Sequence, residues 1–270
     1  VMAGVDPDDA RTESSAEFQG KDYSSYLDAN ALKGKRIGVV TTYADGNAEV
    51  DTAFKQALTQ MRNQGAKTVD VTVPEFIQEA WSTMMGPVVD NEFNDQIEYY
   101  FDKGKAPIQT VEELIDLSLA PGILNSENPV NPGRVDGNRA AANSLGLADQ
   151  LYIEIVTSRI PSARQLIIEL MKDKKLDALV FPTMLCPASP LFTLKDKTYV
   201  CSASDAYIPA YLASSTGFPE ITVPMGFTKH GLPLGISFFA TAYDEPRLIG
   251  MAYAFEQATS WRQPPASTTE

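Results

Sequence analysis

Histidine is nearly missing from this sequence: His230 is the single one in 270 residues. A Ser-His-Asp triad would have to use it. It sits in the turn Thr228-Lys-His-Gly231, where an imidazole is expected to be solvated. Cysteine is almost as scarce, with only Cys186 and Cys201. Two cysteines and one histidine match no zinc-ligand spacing, and two are too few to define a disulfide framework. They can pair if the fold brings them together, which leaves the redox compartment open. There is no basic excess either. The net charge of −13 speaks against nucleic-acid binding through a basic face and reads as a solvated acidic surface. No uninterrupted apolar run approaches the roughly 18 residues of a membrane span. The glycine-rich phosphate loops GxGxxG and GxxxxGK[ST] do not occur. Neighbouring carboxylates such as Asp8-Asp9 and Glu112-Glu113 lie in a loop or at a helix start, where they are solvated or face the helix dipole. No cofactor and no metal are implied.

What is present is an ordinary globular composition, 44% hydrophobic and 21% charged, in a chain long enough to bury a sizeable core. Residues 1–31 are polar and read as irregular, with a folded body over 32–265 and a tail over 266–270. Arg36 to Tyr43 reads as a buried strand and Lys67 to Val73 as a second one. Between them, Val50, Phe54, Leu58 and Met61 recur at helical spacing. This βαβ pattern predicts a parallel sheet covered by helices. Residues 75–103 read as a helix or helix pair with a kink at Gly86-Pro87. Thr110-Val-Glu-Glu113 is a capping box that opens a helix through Leu119. Pro121 to Gly137 reads as a long loop. Arg139 to Lys174 reads as largely helical with an interruption at Pro161. Ala178 to Pro182 is a short apolar strand, Met184 to Asp205 a loop, Ala206 to Ser214 a helix and Pro246 to Ser260 the last helix.

Two strands joined by a turn organise the C-terminal part. Ile221, Val223 and Met225 alternate with Thr222 and Pro224, and Leu234, Ile236 and Phe238 follow the turn at Thr228–Gly231. Gly217, Pro219, Ile221, Val223-Pro224 and Gly226-Phe227, then Gly231-Leu232-Pro233 and Gly235-Ile236, resemble the C-terminal hallmark of the amidase signature family. Upstream, Leu176-Asp-Ala-Leu-Val-Phe-Pro-Thr183 and Leu32-Lys-Gly-Lys-Arg-Ile-Gly-Val39 are similar to the same family. Each motif alone is weak; their order and spacing make the match. The likeness covers nearly the whole chain but only the second half of a family member. The segment opening at Val1 is similar to the stretch just after the family's catalytic core, so the natural N-terminus is expected further upstream.

The resemblance implies an α/β fold with a mixed, mainly parallel central sheet flanked by helices, of which this chain supplies part. It implies amide hydrolysis by a Ser-Ser-Lys triad whose nucleophile lies in a G-G-S-S-G-G loop. That loop is not in this sequence. Ala213-Ser-Ser-Thr-Gly217 lacks the flanking glycines and reads first as a helix end. No catalytic residue is therefore assigned here, and the triad is expected on an upstream segment or partner chain. By resemblance, Thr183 and Met184 at a strand end, Asp205, and Ser214, Ser215 and Thr216 are candidates for substrate binding. The expected partners are a small-molecule or peptide amide, the N-terminal half of the same enzyme, and a second copy of the chain. The alternatives are a non-catalytic scaffold or binding module, or part of the amidase-like subunit of an amidotransferase. Relatives of that last type often carry Asn before the Gly-x-Pro, where this chain has Ser214-Ser215-Thr216.

Overall fold

The computed structural model describes residues 4–264; the tail read at 266–270 lies outside them. The first regular element with a buried face is strand β1 (Arg36–Val40). Helix α1 (Ala48–Asn63) follows, opened by Asn47, whose side-chain oxygen accepts from the N–H of Glu49 at 2.9 Å and of Val50 at 3.2 Å. That cap satisfies two donors the helix cannot satisfy itself. Val50, Phe54, Ala57, Leu58 and Met61 line its buried stripe. Strand β2 (Lys67–Val71) then pairs parallel with β1, Arg36 opposite Lys67 and Val40 opposite Val71. Gly38 of β1 has no room for a side chain: a Cβ there would lie 2.6 Å from Leu179 Cδ2.

A long helical excursion separates β2 from the next strand. It comprises α2 (Glu75–Gln78), α3 (Gly86–Gly104), α4 (Val111–Leu119), α5 (Pro121–Leu124), α6 (Pro132–Ala142), α7 (Gln150–Glu154) and α8 (Ile160–Asp173). The kink expected at Gly86-Pro87 is a wide π-turn over Trp81–Met85, after which Pro87 sits in the first turn of α3. A second π-turn, Ile155–Arg159, precedes Pro161 at the start of α8 in the same way. Widening the preceding turn removes the clash and the lost hydrogen bond that proline imposes inside an α-helix.

Three readings of the sequence need correction. Pro121 to Gly137 is not a long loop: Pro121 and Pro132 occupy first-turn positions, and the Asn131 side chain accepts from Gly133 N–H at 2.9 Å to open α6. The helical stretch read from Arg139 ends at Ala142 and restarts after Asp149, which caps α7 through Tyr152 N–H at 2.9 Å. The region read as irregular before residue 32 contains two 3-10 helices, Ala10–Phe18 and Tyr23–Tyr26. Local side-chain to backbone bonds, such as Ser24 N–H to Asp22 at 2.9 Å, hold the second without a hydrophobic period.

Strand β3 (Ala178–Pro182) is buried at every position and parallel to β1, as a central strand covered on both faces must be. After a long excursion come α9 (Tyr211–Thr216), β4 (Glu220–Phe227), β5 (Pro233–Phe239) and α10 (Glu245–Thr259). β5 runs antiparallel to both β3 and β4, giving a five-stranded mixed sheet ordered β2-β1-β3-β5-β4. Thr228 closes the hairpin turn, its carbonyl accepting from Gly231 N–H at 2.9 Å, and Gly231 takes the left-handed φ of 80°. Pro224 sits at a bulge in β4, where its missing N–H breaks no regular ladder. Phe238 meets Phe255 of α10 edge-on at 6.0 Å, and Phe181 meets Tyr43 edge-on at 5.4 Å.

Candidate functional site

The carboxyl ends of β1 and β3 point to one edge of the sheet, where ligands collect in open α/β folds. Beyond the end of β3 lies a cavity of about 640 Å³. Met184, Val223, Met225 and Leu234 give it apolar walls, and Thr183 and Thr222 bring hydroxyls to it. The Met184–Asp205 excursion closes one side. It is held at both roots: Leu185 N–H donates to Ala206 O at 2.9 Å and Ser202 N–H to Gly46 O at 2.8 Å. Asn47 Nδ2 donates to Val200 O at 2.7 Å. Cys186 and Cys201 form a disulfide with their Cα atoms 5.6 Å apart. A second cavity of about 640 Å³ adjoins this excursion, and Pro187, Ala188, Ser189 and Tyr199 wall both.

Strand alternation builds a polar cluster beside the main cavity. Glu220 and Thr222 share a face of β4, Ser237 of β5 pairs with Thr222, and Thr183 lies two residues beyond Phe181, which pairs with Ser237. Ser237 donates to Glu220 Oε1 at 2.5 Å. Its oxygen lies 2.8 Å from Thr183 Oγ1 and 3.2 Å from Thr222 Oγ1. Gly235 makes this convergence possible, because a Cβ there would lie 2.8 Å from Thr222 Cγ2 and 3.0 Å from Thr183 Oγ1. Burial holds the Glu220 carboxyl above its usual range, and the hydrogen bond from Ser237 offsets part of that. The Tyr43 hydroxyl is buried with no hydrogen-bond partner among the described residues. Burial first, and the Glu220 charge second, push its pKa up.

A family model described as Amidase matches residues 1–249. The chain belongs to the amidase family. It is 30% identical to the native peptide amidase from Stenotrophomonas maltophilia, whose solved structure superposes with a TM-score of 0.74 over 97% of this chain and 51% of that one. Among curated relatives, a protein of Arabidopsis thaliana named as an amidase is 27% identical over 271 residues, 98% of this chain and 46% of its own length. One of the subunits of a glutamyl-tRNA(Gln) amidotransferase from a Synechococcus strain is 26% identical over 278 residues, 96% and 51%. The chain thus spans about half the length of the curated relatives it matches.

In this amidase-family chain, the residues singled out from the sequence fall in three places. Thr183 and Met184 line the main cavity. Asp205 flanks it and accepts from Tyr207 N–H and from the Tyr211 hydroxyl, each at 2.8 Å. Burial and this carboxylate push the Tyr211 pKa up. Ser214, Ser215 and Thr216 form the end of α9. Their hydroxyls donate to the carbonyls of Ala210, Leu212 and Leu212 at 3.0, 3.3 and 2.6 Å, and Gly217 ends the helix with φ of 66°. They do not meet Thr183 and Met184 on the cavity wall. His230 lies exposed in the hairpin turn beside the second cavity. No group of three or more His, Cys, Asp or Glu among the described residues could hold a metal ion. No helix among them is long and apolar enough to cross a membrane.

The cluster of Glu220, Thr222 and Ser237 was not singled out from the sequence. The available signal was periodic: polar residues two apart in β4, facing one polar residue in an otherwise apolar β5, share one face of a hairpin.

Proposed function

We propose that this chain is the C-terminal part of a serine-dependent amidase. The complete enzyme cleaves R–CO–NH–R′ with water to give the acid and an amine or ammonia. The observation that carries the reading is the cavity at the end of β3, apolar on its walls and lined by the Thr183 and Thr222 hydroxyls, in a chain of the amidase family. A concave apolar hollow with a few convergent polar groups is the usual form of a small-ligand site. In this reading, Thr183 and Met184 contact the substrate. Asp205 holds Tyr207, which is on the cavity wall, and ties it to Tyr211 of α9. Ser214, Ser215 and Thr216 set the end of α9, so the segment leading into β4 enters at a fixed angle. The nucleophilic serine, the second serine and the lysine come from a segment preceding this one or from a partner chain. The likeness to a peptide amidase favours a peptide or small-molecule carboxamide as substrate.

A second reading, part of the amidase-like subunit of an amidotransferase, is favoured by the likeness to such subunits at 26% identity. Intact mass of the purified sample, with hydrolysis of a simple aryl amide, tests the first reading. The 270-residue chain alone is expected to be inactive, and activity is expected where the upstream segment is present. Hydrolysis by this chain alone would overturn the assignment of the triad to another segment. Hydrolysis only of glutamine, and only with further subunits present, would favour the second reading.

A further inference from the structure

Ser237 is fully buried and has one hydroxyl proton and two lone pairs to place. It donates that proton to Glu220 Oε1 at 2.5 Å. The two lone pairs then face two threonine hydroxyls, Thr183 at 2.8 Å and Thr222 at 3.2 Å. Both threonines can donate to Ser237, which is then saturated. Thr183 can also donate to Thr222 across 3.4 Å, which likewise keeps its proton inside the network. Neither has a proton left to offer elsewhere. What they keep for the cavity they line is acceptor lone pairs. Ser189, Ser204, Tyr199 and Tyr207, also on the wall, are under no such lock among the described residues.

We propose that Glu220 and Ser237 act as positioning residues that fix Thr183 and Thr222 as hydrogen-bond acceptors, so that this cavity selects ligands presenting N–H donors beside an apolar body. In an amidase it then holds the nitrogen side of the amide, the carboxamide NH₂ or the amine-side N–H, and leaves the acyl oxygen to donors elsewhere. That last step rests on the proposed amidase reading; the donor preference rests on the network alone. At these two threonines a ligand offering only acceptors would meet lone pairs with lone pairs, and a site built for an N–H strongly rejects the analogue that lacks it.

The test uses the full-length protein and a matched pair of probes, phenylmethanesulfonamide and benzyl methyl sulfone. They are close in size, differ by NH₂ against CH₃, and contain no carboxylic amide to hydrolyse. Calorimetric titration should show the sulfonamide binding about tenfold more tightly, the factor associated with one well-placed hydrogen bond. Ser237→Ala frees both threonine protons to turn toward the ligand and should cut the preference to about threefold or less. Thr222→Val should weaken the sulfonamide and leave the sulfone unchanged. Equal binding of the two probes by the wild type, or a full preference in Ser237→Ala, overturns the proposal. If Ser237→Ala does not fold, Thr222→Val decides: unchanged sulfonamide affinity overturns it. Amide hydrolysis, assayed in parallel, separates the two readings. With the upstream segment present, hydrolysis without a donor preference sinks this inference alone, and a donor preference without hydrolysis sinks the amidase reading alone.

Discussion

Glu220 concentrates the electrostatics of the site at a single residue. Its folded-state pKa is raised, chiefly by burial, so the folded protein holds the proton more tightly than the unfolded chain does. The stability contribution is therefore fully present at pH below the unfolded carboxyl value. It is lost as pH rises through the folded value. Glu220→Gln removes this dependence, since a side-chain amide can still accept from Ser237 without a charge to desolvate. Thermal melts of both proteins from pH 4 to 8 should show the variant gaining on the wild type as pH rises. A gap that is constant with pH would show that the carboxyl does not titrate differently on folding. The same residue marks what could not be read from the sequence. Glu220 there is one acidic side chain at a strand start, and only pairing across β5 brings Ser237 and Thr183 to it. By contrast, Thr183 and Met184 could be singled out because a strand end is a local feature, and strand ends are where ligands gather in such sheets.

Among elements, the Met184–Asp205 excursion is the one whose conformation decides the cavity. It has no helix or strand of its own, and Leu191, Phe192 and Leu194 on it are 66%, 49% and 62% exposed. Its order comes from its roots and from the Cys186–Cys201 bridge across 15 residues. Closing a loop of that size removes entropy from the unfolded chain worth about 3 kcal/mol. Reduction, or the double change of Cys186 and Cys201 to Ser, should lower stability by about that amount. It should also expose the excursion to protease: limited digestion followed by mass spectrometry should find new cuts between residues 187 and 200. A digestion pattern identical with and without reductant would show that the roots alone hold it. The strands and α1 were legible in the sequence to within a few residues, because period-2 and period-3.6 patterns are local. The pairing of the two cysteines was not, because spacing says nothing of proximity. The prolines at Pro121 and Pro132 misled for a related reason. Proline ends a helix from within but starts one from its first turn, and the sequence pattern alone does not separate these cases.

At the scale of the whole molecule, the sheet has two outer strands of unequal exposure to pairing. β2 is short and carries Lys67 and Asp70, which discourages edge-to-edge association. β4 is longer, at eight residues, and only its bulge interrupts the row of backbone groups on its free side. The helical excursion adds exposed apolar surface, with Tyr99, Tyr100 and Leu145 at 64%, 68% and 76% exposure. The 270-residue chain expressed alone should therefore self-associate. Sedimentation velocity should find species heavier than a single chain, and co-expression with an upstream amidase segment should shift the sample to one defined complex. A monodisperse monomer would show that these surfaces are adequately covered as they stand.

Pro187, Ala188, Ser189 and Tyr199 wall two hollows of similar volume, which makes them a party wall. Whatever occupies one side bears on the shape of the other. If a guest in the second hollow changes affinity in the first by some factor, the guest in the first must change affinity in the second by the same factor. A titration of either hollow, repeated with the other filled, then measures one number twice.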